Sequence, residues 1–127
     1  MIKNNGCCDL EYAKKIKELG VKQESLFKWH SKLDGKGNRV YTEIVYLPIK
    51  QMEQDYSAFT CGELGEMLPN SIDKFVMVIM KMNKGTWVCG YYKDLKEMFY
   101  EVGDKILVTA MAKMLIWLIE QGKVKVK

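Results

Sequence analysis

The run from Asp104 to Gln121, DKILVTAMAKMLIWLIEQ, is the longest helical pattern in the chain and carries its densest apolar mass. At about 3.6 residues per turn, Lys105, Thr109, Lys113 and Glu120 fall on one narrow stripe, with Ile116 inside it. Leu107, Val108, Ala110, Met111, Met114, Leu115, Trp117, Leu118 and Ile119 cover most of the rest. A surface helix shows an apolar stripe on a polar cylinder. This one is nearer the reverse, so it demands cover on more than one side. A membrane span is disfavoured: Lys113 sits mid-run, and the clean apolar stretch after it falls well short of the ~20 residues a span needs. Gly122 is placed to stop the helix in a left-handed conformation, with lysines beyond it to complement the helix end.

The rest of the chain reads as a scaffold for that helix. Asp9 is a good N-cap for a helix over Leu10–Leu19, and Gly20 with Val21 fits a Schellman stop. Ser25–Lys32 alternates, with Phe27 and Trp29 on one side and Lys28 and His30 on the other. Arg39–Leu47 is its hairpin partner across the turn-rich Asp34-Gly35-Lys36-Gly37-Asn38. Residues 49–56 read as an irregular linker. Phe59-Thr60-Cys61-Gly62-Glu63-Leu64 combines a capping box with a hydrophobic staple and opens a short helix that Pro69 ends. Lys74–Met82 and Trp87–Tyr92 form a second hairpin around Asn83-Lys84-Gly85. Phe75–Ile79 is apolar on both faces, which predicts a central strand covered on both sides. Met98–Val102 is a fifth strand. The order α-ββ-α-βββ-α predicts a single α+β domain over residues 1–127. It has an antiparallel sheet of about five strands (two hairpins plus one strand) and three helices, and its ends, 1–7 and 123–127, are frayed.

Charge and cysteine usage bound the function. Net charge is only +4, but it is unevenly spread: residues 1–50 carry 10 basic and 6 acidic groups, 51–103 carry 5 and 8, and 104–127 carry 5 and 2. Arg39 is the sole arginine, which weakens any nucleic-acid reading, because base and bidentate phosphate recognition lean on arginine. The opening Met1-Ile2-Lys3-Asn4-Asn5 starts no apolar signal region, so the expectation is a cytoplasmic protein with reduced thiols.

Three segments, Ile16–Phe27 (IKELGVKQESLF), Ser57–Pro69 (SAFTCGELGEMLP) and Ala112–Gly122 (AKMLIWLIEQG), resemble small proteins encoded in bacterial genomes, prophages and mobile elements. The resemblance spans most of the chain and implies a cytoplasmic accessory protein of phage or mobile-element origin. It brings no activity and no functional residues.

No catalytic constellation stands out. Cys7, Cys8, Cys61, Cys89 and His30 lack metal-ligand spacing and read as small buried hydrophobes with an exposed N-terminal thiol. No cofactor is implied. Cys61, at the start of a helix, is the candidate reactive thiol, because a helix N-terminus lowers a thiol's pKa. A nucleophilic role would pair it with His30, the only histidine. Glu63 and Glu66 read as a capping group and a solvated face. Aromatics on the hairpins (Trp29, Tyr41, Tyr46, Trp87, Tyr91, Tyr92) read as cross-strand pairs rather than a stacking platform. Two functional expectations remain. The first is a non-enzymatic protein that binds another protein, either a second copy as a homodimer or a host protein, through the part of the last helix left uncovered: Ile116, Ala112 and Trp117. The second is a nucleic-acid-binding accessory protein using Lys28, Trp29, Lys32, Lys36 and Arg39.

Overall fold

A computed structural model describes residues 6–46, 55–94 and 96–126. Helix α1 spans Leu10–Glu18, α2 spans Cys61–Met67 and α3 spans Leu107–Glu120. Strands β1 (Phe27–Leu33), β2 (Arg39–Tyr46), β5 (Phe75–Lys81), β6 (Trp87–Lys93) and β7 (Glu97–Asp104) match the five expected, and β3 (Tyr56–Ser57) and β4 (Ser71–Ile72) are short additions. The α+β class and the three helices stand as the sequence implied.

The strands divide into two antiparallel sheets, β2-β1-β3 and β4-β5-β6-β7, where the sequence predicted one. The segments flanking α2 account for the split. β3, just before α2, takes the free side of β1, and β4, just after it, takes the free side of β5. Each short strand thereby occupies the start of the side on which its hairpin could have joined the other.

Local chemistry sets the helix ends. Glu63 N–H donates to Thr60 Oγ1 at 3.2 Å and Thr60 N–H donates to Glu63 Oε1 at 2.9 Å, which completes the capping box. Gly20 (φ 91°) and Gly122 (φ 71°) adopt the left-handed conformation that favours glycine. After α1, Val21 N–H returns to Ile16 O at 3.3 Å and Gly20 N–H to Lys17 O at 2.9 Å; after α3, Lys123 N–H returns to Leu118 O at 2.8 Å and Gly122 N–H to Ile119 O at 3.0 Å. Both ends are Schellman motifs.

Helix α3 forms the spine of the core. It touches α1, α2, β6 and β7 and buries Val108, Thr109, Ala110, Met111, Ala112, Met114, Leu115, Ile116 and Leu118. Each fully buried Leu, Ile or Met contributes roughly 1.5–3 kcal/mol before chain entropy is set against it. Ile116 is only 9% exposed and Ala112 is fully buried. The expectation of an uncovered stripe around them is therefore corrected: both are buried where α1, α2, β6 and β7 pack on the helix. No helix among the described residues is long and apolar enough to cross a membrane.

The chain ends are also better held than expected. Cys7 is 1% exposed and bridges Thr60, and Cys8 N–H donates to Phe59 O at 2.8 Å, so neither is a frayed, exposed thiol; residues 1–5 lie outside the described residues. Val124 packs against the core and Val126 lies against Gly20, so 123–126 is an anchored tail. Most of the expected linker at 49–56 falls outside the described residues, and its last residue, Tyr56, belongs to β3.

Candidate functional site

The expected nucleic-acid residues do not come together. Lys28 and Trp29 are 2% and 3% exposed. Lys28 Nζ forms a 2.8 Å ion pair with Asp55 Oδ2, itself 2% exposed, and Trp29 Nε1 donates to Cys8 O at 3.1 Å. A buried ammonium is tolerated only with a partner, and Asp55 supplies it from the position just before β3. Lys32, Lys36 and Arg39 stay exposed on the first hairpin. The nearby rings of Tyr41 and Tyr56 offer no open stacking face. They tilt together at 5.0 Å, with Lys14 Nζ 5.6 Å and 5.9 Å from their centroids and Lys17 Nζ 5.0 Å from that of Tyr56. The other hairpin aromatics are paired or buried. Tyr46 meets its register partner Phe27 edge-on at 5.7 Å, and Tyr91 is fully buried with its hydroxyl donating to Pro69 O at 2.7 Å.

Cys61 is half-buried, and burial pushes its thiol up, the reverse of the activation expected at a helix start. Desolvation outweighs the lowering effect of the hydrogen bond from its own backbone N–H. No hydrogen bond among the described residues joins Cys61 to His30, which stands opposite Glu43 in β1. No group of three or more His, Cys, Asp or Glu among them is arranged to hold a metal. Glu63 is spent structurally. Beyond the cap, its Oε1 accepts from Ser25 Oγ at 2.8 Å and its Oε2 from Leu26 N–H at 3.0 Å, tying the entry of β1 to α2.

Trp117, the third residue expected to contact a partner, is half-buried and stacked on Tyr100. It belongs to the seam between α3 and β7.

Two surface features remain. One is a cleft of about 490 Å³ between the Val21–Glu24 turn, α2, the last turns of α3 and the tail, lined by Val21, Phe59, Met67, Leu115, Ile119 and Val124 among others. Much of its charged rim is self-satisfied: Lys22 pairs with Glu24 at 2.9 Å, and Glu63 is engaged as described.

The other is the outer face of the four-stranded sheet. In the register, Val76 stands opposite Tyr92, Val78 opposite Gly90 and Met80 opposite Val88, while Tyr92 stands opposite Met98 and Gly90 opposite Glu101. Phe75, Met77, Cys89, Tyr91 and Tyr100 point the other way, into the core. The outward residues Val76, Val78 and Met80 are all apolar, and Val88 and Met98 extend the row across the sheet. Val76 is 51% and Met98 52% exposed, and Val78, Met80 and Val88 are half-buried. Antiparallel sheets normally carry polar side chains on the solvated face. The two-faced apolar character of β5 was visible in the sequence, but it predicted cover on both sides, and among the described residues only one side has it. The ring of Tyr92, itself buried, lies over Gly90, its hydroxyl donating to Glu101 Oε2. The chain matches no protein-family model, and no curated protein or solved structure is similar to it.

Proposed function

We propose that this chain is a small non-enzymatic accessory protein that works in the cytoplasm by binding another protein through the open face of its second sheet. The supporting observation is the outward row Val76, Val78 and Met80, with Val88 and Met98 beside it. Contiguous exposed apolar surface of this kind marks contact sites on soluble proteins. The outward carboxylate at its centre, Glu101, is engaged by Tyr92. The phage or mobile-element association rests on the three resembling segments alone. The nucleic-acid reading retains Lys32, Lys36 and Arg39 but lacks the buried pair Lys28 and Trp29.

The test compares immobilised wild type with a Val76→Lys/Met98→Lys variant and a Lys32→Glu/Lys36→Glu variant, each shown to unfold at the wild-type urea concentration. Host proteins retained by the wild type and the hairpin variant, but lost by the sheet-face variant, are expected. Retention that ignores the sheet-face charges, or that disappears with the hairpin lysines and in high salt, would overturn the reading.

A further inference from the structure

We propose that two copies of this chain pair through the open half of β5, antiparallel and centred on Met80, so that their four-stranded sheets join into one. The inference rests on the reading above, that the second sheet is a contact surface, and it names the partner.

Strand β4 shields only the beginning of β5. Ser71 and Ile72 stand opposite Val76 and Phe75, and Met77 N–H donates to Asn70 O at 3.0 Å. Beyond Met77 no strand among the described residues lies on that side of β5. In a strand paired on both sides, successive residues direct their backbone groups to opposite neighbours. Met77 N–H points toward β4, and Met82 N–H points the other way, to Thr86 O at 2.7 Å. Ile79 and Lys81 share the parity of Met77, so their N–H and C=O groups face the open edge.

The other long edges are guarded. β7 carries Glu97, Glu101 and Asp104, and its pairing with β6 is broken by a register shift; β2 carries Arg39 and Glu43. Charges and bulges of this kind keep strands from adding. The open part of β5 has no bulge and a single charge, Lys81. Ile79 is 38% exposed and Met82 is 51% exposed.

An edge with open groups at alternate residues is complementary to itself about a two-fold axis. Hydrogen-bonded pairs must bring open groups together, which leaves three registers. Centring on Ile79 sets Lys81 against Met77, whose N–H is already taken by Asn70. Centring on Lys81 sets like charges directly opposite, which is unfavourable. Centring on Met80 pairs Ile79 with Lys81 of the second copy and Lys81 with its Ile79, and every open group is used once. Lys81 then faces an apolar residue, and its ammonium is drawn back over the ring of its own Trp87 at 5.4 Å. On the outer face Met80 meets Met80 and Val78 meets Met82, covering the exposed methionine. So short an edge falls below the ~800 Å² per partner of stable complexes, so the pair forms reversibly at high protein concentration.

The experiment uses Met80→Cys. Residues at such a non-hydrogen-bonded position face one another with Cα atoms ~4.5 Å apart, within disulfide range. Under diamide, which accepts the two thiol protons and the electron pair, the variant should give a covalent dimer on a non-reducing gel. It should form roughly tenfold or more faster than in wild type or Val76→Cys, because the two thiols meet at high effective concentration. Adding Ile79→Pro should abolish that advantage. It removes an N–H aimed at the open edge and leaves the ladder to β6 intact, and the unfolding midpoint reports that the fold survives. Cross-linking of Met80→Cys no faster than Val76→Cys, or an advantage that survives Ile79→Pro, overturns the inference. If that happens while Val76→Lys/Met98→Lys still abolishes partner capture, the second-copy inference alone falls and the protein-binding reading stands.

Discussion

Trp117 and Tyr100 lie face to face, their ring centroids 3.6 Å apart and their planes 4° from parallel, while Phe99 meets the same indole edge-on at 6.0 Å and 72°. This aromatic group ties α3 to β7, and Phe75 extends it to β5 by packing against Phe99 at 5.6 Å. Truncating Trp117→Ala should cost about 3 kcal/mol, the lower end for a large aromatic because the ring is half-buried. Urea unfolding checks it, and a loss under ~1 kcal/mol would mean that the stack contributes little beyond surface contact.

The Lys28–Asp55 pair makes a sharper demand. Lys28→Met leaves a buried carboxylate facing an apolar side chain and should destabilise by about 3–5 kcal/mol. The double variant Lys28→Met/Asp55→Leu should recover most of that loss, since a buried pair replaced by packed apolar groups is often neutral. A double-mutant cycle by chemical denaturation measures the coupling. Additive losses would show that the two charges do not depend on each other.

Gly90 tests the outer face. A Cβ there would stand 2.7 Å from Tyr92 Cε2, 2.9 Å from Glu101 Cβ and 3.1 Å from Tyr100 O. Gly90→Ala should therefore destabilise by roughly 1–3 kcal/mol through overpacking. In a Tyr92→Ser background the same change should cost less, with some loss remaining from Glu101 and the backbone. An equal penalty in both backgrounds would remove Tyr92 from the explanation.

Alkaline pH should weaken the fold. Burial pushes the Cys7 and Cys89 thiols up to about 11 and the Cys8 thiol to about 12. Burial, together with the hydrogen bond to Glu101, pushes the Tyr92 phenol to about 12. In each case the folded state favours the protonated form. That stability is complete below the unfolded values, ~8.5 for a thiol and ~10 for a phenol, and is lost as pH rises through the folded ones. The urea midpoint should fall between pH ~8.5 and ~12. Native-state thiol labelling should reach Cys61 first and the other three only on unfolding. A flat profile across this window, or rapid labelling of Cys7, would contradict the burial of these groups.

The features legible in the sequence are those whose partners lie close along the chain. The Thr60–Glu63 capping box spans three residues, and the Gly20 and Gly122 stops follow from glycine's freedom at positive φ. The two hairpins announced themselves by turn residues between apolar runs. The misread positions depended on distant residues. Period-two alternation put Lys28 outward, but Asp55, which draws it inside, is 27 residues away in a stretch with no strand pattern. Ile116 falls on the polar stripe of a helical wheel, yet α3 is packed by elements drawn from both ends of the chain. Cys61 sat at a helix start as expected, but its burial depends on how that helix packs.

By itself the sequence determined the three helices and five long strands in their order, the capping box of α2, the glycine stops of α1 and α3 and the central place of α3, because period, turn chemistry and apolar mass act locally. Only the tertiary structure decided that the strands form two sheets, that Lys28 and Trp29 are interior, and that Ile116 and Ala112 of α3 are buried. It also decided that, among the described residues, an exposed apolar row lies on the outer face of β5. The physical reason is that an apolar run specifies that burial is favourable but not what provides it. On β5, Phe75 and Met77 pack against the core, and among the described residues no strand lies along the edge beyond Met77.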